Sequence, residues 1–126
     1  MHAFTRILLF AEADEAAEVV DAFIALAGIG DPPWLLYVRR DGSETRAATL
    51  RIGDMTVDVA IGARAIPAVL EVSVPDLPRA LERALVAGFS AAVWPREEAL
   101  KEVTVVAGGM QITAITEAAL IDRRGA

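Results

Sequence analysis

Chemistry needs groups that move protons, share electron pairs or hold charge, and this chain offers few. It has no cysteine and one histidine, His2. Thiolate nucleophiles, thiolate metal sites and disulfides are excluded, and no hydroxyl has an imidazole available to activate it. Carboxylates, hydroxyls, amides and rings remain. Asp58 interrupts the apolar run MTVDVAI (55–61), and Glu71 interrupts VLEVS (69–73). Such acids bind a basic group, or act as general base where an apolar setting raises the pKa. The plainer alternative is solvation, or an ion pair with Arg51 or Arg6. Ser73, Gln111 and Thr113 add donors and acceptors. Trp34, Tyr37 and Trp94 carry flat rings that stack on a planar ligand or pack in a core or interface. Gly108-Gly109 is a turn, because a phosphate loop would lead into a helix and here a strand follows.

The elements that must position these residues are clearest at 69–88, VLEVSVPDLPRALERALVAG. Leu70, Val72 and Val74 alternate with Glu71 and Ser73, the period of a half-buried strand. Asp76 stands at a helix N-cap and Pro78 in the first turn, where its missing N–H costs nothing. Leu77, Leu81, Ala84 and Leu85 then follow at helical spacing, and Gly88 is the stop.

The remaining segments repeat that pattern. Strand FTRILLFA (4–11) leads to a helix with Asp14 as expected N-cap, lined by Val19, Val20, Phe23, Ile24 and Ala27, with Glu18, Asp21 and Ala25 outward. Strands follow at 34–40, 45–52 and 55–61, with Asp41-Gly42 and Gly53-Asp54 as tight turns. After 88 come strands at 91–94, 101–107 and 110–116, with a loop or single helical turn at 96–100. An offset of 62 residues brings Asp14 onto Asp76 and Phe23 onto Leu85; an offset of 55 brings the turn before Met55 onto the turn before Met110. The expectation is therefore two β-α-β-β-β modules, 4–62 and 69–117, joined by a linker at 63–68 and followed by a polar tail at 118–126 that frays.

Composition narrows the partners. A chain of 126 residues is expected to form one domain. Its net charge of −6 disfavours nucleic acid, which needs a cationic face. No apolar run reaches the roughly 18 residues of a membrane span, and the N-terminus lacks the marks of a signal peptide, so the expected location is cytoplasmic. Hydrophobic residues make up 55%, above the usual share of about 45–50%, which suggests apolar surface for a homodimer interface.

Two such modules, with VSVPDLPRALERALVAG (72–88) and VVAGGMQITAI (105–115), resemble the vicinal oxygen chelate superfamily, which includes glyoxalase I, bleomycin resistance proteins and extradiol dioxygenases. The resemblance implies an α+β fold whose paired, curved mixed sheets carry helices on the convex side and form a cleft. Whether the modules pair within or between chains stays open. It also implies metal ligands from the first and last strand of each module, carried here onto Ile7, Asp58, Val69 and Thr113. One carboxylate and no imidazole is a poor donor set for a divalent cation, so neither a metal centre nor another cofactor is expected.

If those four positions face the cleft, so do Leu9, Thr56, Ala60, Glu71, Ser73, Gln111 and Ile115. Leu8, Phe10, Val57, Val59, Ile61, Leu70, Val72, Val74, Ile112 and Ala114 would then face the helices. The expected function is metal-free binding or sequestration of a small organic ligand, cationic or aromatic, by Asp58, Glu71, Ser73, Gln111, Thr113, Trp34, Tyr37 and Trp94. The alternatives are an enzyme of the same superfamily, using either metal-free acid–base chemistry through Asp58 or Glu71 or an atypical metal site, and a non-catalytic dimerisation module. Were the repeat illusory, a ferredoxin-like or ACT-like domain would be the fallback.

Overall fold

The computed structural model describes residues 6–39, 41–65, 69–95 and 99–116. The expected tail at 118–126 and most of the loop at 96–100 lie outside them. Module one runs β1 (Arg6–Ala11), α1 (Ala13–Ala27), β2 (Trp34–Val38), β3 (Glu44–Ile52) and β4 (Met55–Ile61). Module two runs β5 (Val69–Ser73), α2 (Leu77–Val86), β6 (Ala91–Trp94), β7 (Glu102–Ala107) and β8 (Met110–Ile115). Each forms a four-stranded mixed sheet, in the orders β1-β4-β3-β2 and β5-β8-β7-β6. In both, the first strand lies parallel to the last and the other pairs are antiparallel.

The two helices begin differently. The Asp76 carboxylate accepts from Arg79 N–H at 3.1 Å, and Pro78 sits in the first turn of α2. The expectation of Asp14 as N-cap of α1 is overturned. Only Glu12 separates β1 from α1, so the helix starts at once, with Glu12 at the N-cap and no side-chain capping bond. Asp14 and Glu15 lie in the first turn, where their charge suits the positive helix end. At its other end α1 stops at Gly28, whose φ of 67° is left-handed. Arg83 of α2 reaches across and donates to the carbonyls of Ala25 (2.7 Å) and Leu26 (3.1 Å), capping groups that the helix leaves unpaired. Ala25 is consequently buried rather than outward, because α2 covers that side of α1.

One core joins the modules. α1 packs on β1, β3 and β4 and also on β7 and β8, while α2 packs on β6, β7, β8 and α1. Phe23, Leu26, Val19 and Val20 meet Leu9, Val57, Val59 and Leu50 of one sheet and Val103, Val105 and Ile112 of the other. On α2 the buried residues are Leu77, Ala80 and Ala84, whereas Leu85 is 55% exposed, on the flank of the helix rather than in the core.

Register corrects the expected parity of the first strand. Ile7 pairs with Val57 and Leu9 with Val59, so both face the core, and Leu9 is 2% exposed. Leu8, not Ile7, stands beside Asp58. An apolar strand carries no period-2 signal of its own, and the parallel partner decides which face is which. In module two the expected parity agrees with the register: Val69, Glu71 and Ser73 share a face with Gln111, Thr113 and Ile115. Both apolar faces converge on the helices. Among the described residues, the two faces that no helix covers point away from that core. No helix among the described residues is long and apolar enough to cross a membrane.

Candidate functional site

The parallel pairing of first and last strands places the chemistry. On the helix-free face of the first sheet, one rung runs Leu8–Asp58–Thr49 across β1, β4 and β3. Asp58 is 7% exposed, and both carboxylate oxygens are used. The Arg6 guanidinium donates through Nε to Oδ2, and the Thr49 hydroxyl donates to Oδ1 at 2.6 Å. The hydrogen bond that Arg6 donates to Asp58 outweighs the opposing effect of burial and, with a smaller effect of Tyr37, raises the Arg6 pKa. The ion-pair alternative, with Arg6 as partner, is the one the structure shows for Asp58. Phe10 and Tyr37 lie on the same face and meet edge to face, with centroids 6.3 Å apart and planes at 73°.

The equivalent rung of the second sheet runs Glu71–Thr113–Thr104 across β5, β8 and β7. Thr113 is 6% exposed and shares a 2.9 Å hydroxyl hydrogen bond with Thr104. Glu71 and Ser73 on the edge strand are exposed, as is Gln111. Trp94 lies at the far edge of this face, 58% exposed, with the Lys101 ammonium 5.6 Å from its ring centroid. Trp34 is placed elsewhere. It pairs with Ala48, whose side packs on the helices, and it rests against the core.

The named residues thus divide into three places. Asp58 and Tyr37 share one helix-free face; Glu71, Ser73, Gln111, Thr113 and Trp94 share the other; Trp34 joins neither. Arg6, Phe10, Thr49 and Thr104 are additions. Arg6 was the available signal, since a lone cation in an apolar strand marks the face that stays wet, and counting by two from it gives Leu8 and Phe10. Thr49 and Thr104 carried no signal without register. Two concave volumes can be described, and one of them reaches residues of the second face. One of about 550 Å³ lies between the ends of α1 and α2 around Arg83, Ile24 and Val86. Another of about 320 Å³ is lined by Ile7, Phe23, Ile52, Leu70 and Val72 and also by Glu71 and Ser73 of the edge strand.

The backbone aligns over nearly its full length with known structures. Fosfomycin resistance protein FosX from Listeria monocytogenes superposes with a TM-score of 0.64 at 8% identity, over 100% of this chain and 99% of that one. Glyoxalase I from Leishmania major gives 0.65 at 7% identity, over 99% and 94%. The chain has the vicinal oxygen chelate fold. A putative glyoxalase family protein from Bacillus anthracis adds a TM-score of 0.60 at 10% identity, over 92% and 95%. No family model and no curated protein matches the sequence. Identities this low speak for the fold alone.

A metal centre of the kind implied by the vicinal oxygen chelate resemblance does not fit the residues present. Register puts Leu8 rather than Ile7 beside Asp58, and Glu71 rather than Val69 beside Thr113, so the four positions to test are Leu8, Asp58, Glu71 and Thr113. No three potential acid or imidazole ligands cluster among the described residues. The acid on the first sheet already has a guanidinium on one oxygen and a hydroxyl on the other. A divalent cation there would have to displace the one and sit against like charge.

Proposed function

We propose that this chain binds a small organic ligand without a metal, on its helix-free sheet faces. The observation that carries the reading is the closed Arg6–Asp58–Thr49 set: the carboxylate best placed to hold a metal is already neutralised. The Phe10–Tyr37 pair and the exposed Trp94 offer walls for a planar ligand. Because both faces point away from the shared core, a second copy is what would enclose a ligand between them, so the binding form is a homodimer in which one copy's first sheet faces the other's second sheet. A cytoplasmic location accompanies this reading. A native mass spectrum of the purified protein tests it: a dimer free of stoichiometric metal supports it, and one divalent cation per subunit overturns it.

A second reading, an acid–base enzyme, draws on Glu71, which stands exposed on the same rung as Thr113. The FosX structure contains Mn(II) and a dihydroxypropylphosphonic acid, so small polar ligands with oxygen-rich groups are a sensible screen for either reading. An activity abolished in Glu71→Gln with folding intact would favour the enzyme over the binder.

A further inference from the structure

One rung beyond Asp58, the first sheet carries a row that the acidic composition hides. Arg6 pairs with Thr56, and Thr56 pairs with Arg51, so the three stand abreast on β1, β4 and β3 on the helix-free face. Adjacent strands are about 4.8 Å apart, which sets the two arginine backbones about 10 Å apart with a hydroxyl between them. Long guanidinium side chains at that spacing can converge on one oxyanion from both sides while the threonine hydroxyl donates from below. Asp58 neutralises only Arg6. Arg51 is exposed, donates Nε to the Gly53 carbonyl at 3.2 Å, and has no carboxylate partner among the described residues. Two cations against one acid leave the row with net positive charge in a chain of net charge −6.

We infer that the Arg6–Thr56–Arg51 row holds the oxyanionic group, phosphate, phosphonate or carboxylate, of a small organic ligand. This rests on the binding reading above and reverses the sign of ligand charge expected from Asp58 alone. The ion pair with Asp58 engages Arg6 through Nε and holds it in the row, while Arg51 supplies the uncompensated charge. Phe10, two rungs along the same strand face, would lie beside the body of a ligand whose anionic end is held at the row.

Phenylphosphonate, a ring with one oxyanion, is the probe, with benzylamine as its cationic counterpart. Titration followed by amide chemical shifts should move Arg6, Thr56 and Arg51 saturably with phenylphosphonate and leave them still with benzylamine. Arg51→Gln, an exposed change that spares the Arg6–Asp58 pair, should weaken phenylphosphonate at least tenfold. Equal affinity in wild type and variant, no saturable binding, or preference for benzylamine overturns the inference. Failure here with a metal-free dimer retaining a neutral ligand leaves the binding reading standing. Stoichiometric metal with intact phenylphosphonate binding at the row does the reverse.

Discussion

Two matched rungs, Leu8–Asp58–Thr49 and Glu71–Thr113–Thr104, occupy the same place in the same topology and treat their acids in opposite ways. In the first, the acid is on β4, flanked by strands on both sides; it is nearly out of water and both oxygens have partners. In the second, the acid has moved to edge strand β5 and is exposed, and the inner position holds a hydroxyl paired with another hydroxyl. A polar group on an inner strand must be satisfied by the chain itself. On an edge strand it keeps contact with water. The seat of a residue in the sheet, more than its type, decides whether it is structure or site.

The contrast between modules can be broken most severely at their matched turns. A Cβ at Gly108 would come 2.7 Å from Val19 Cγ2 and 2.9 Å from the Glu15 carbonyl oxygen, at φ +56°, whereas one at Gly53 meets open space at φ +60°. Gly108→Ala should therefore lower stability by about 3 kcal/mol and Gly53→Ala by about 1 kcal/mol in urea unfolding. Equal losses would mean that α1 gives way freely. Removing the Asp58 partner comes next. Arg6→Ala should cost about 2 kcal/mol, held below the loss for a fully buried pair by the half-exposed arginine, while Glu71→Gln should stay within about 0.5 kcal/mol.

Smaller effects sharpen the same comparison. Thr113→Val should cost about 1 kcal/mol, and Thr104→Val on top of it should recover part of that loss, since it removes the orphaned partner. Asp76→Ala should cost about 1 kcal/mol through its lost cap, against a few tenths at most for Glu12→Ala, which caps nothing. The smallest is a titration. Hydrogen bonds from the Ser43 hydroxyl and then its backbone N–H hold the Asp41 carboxyl below its ordinary 3.8. A depressed acid contributes stability above the unfolded value that is lost as pH falls through the folded one, so any effect lies below pH 3.8. Ser43→Ala should move the Asp41 resonance midpoint upward, toward the ordinary value.

Much of the fold was legible because its signals are local. Alternation at 69–74, the Asp76 cap with Pro78, and glycine at each hairpin turn mark elements without reference to distant residues. The candidate site was legible only where one face was already polar. Glu71, Ser73, Gln111 and Thr113 fall together because β5 and β8 alternate strongly. β1 does not alternate, so nothing local says whether Leu8 or Ile7 stands beside Asp58; that depends on pairing across more than 40 residues of chain. Trp34 and Tyr37 illustrate the same limit. They sit three apart on one short strand, which puts them on opposite faces, and proximity in sequence gave no hint of which ring would meet Phe10.

Arg83 ties the two repeats together. Its guanidinium belongs to the second helix, yet the carbonyls it closes belong to the first, and the first helix in turn supplies apolar surface to both sheets. Opening the second half uncaps the first helix, and opening the first strips apolar cover from the second sheet. Amide exchange in the centres of the two sheets should therefore report one shared opening event, and a chain cut between the modules should lose the cooperativity of both halves.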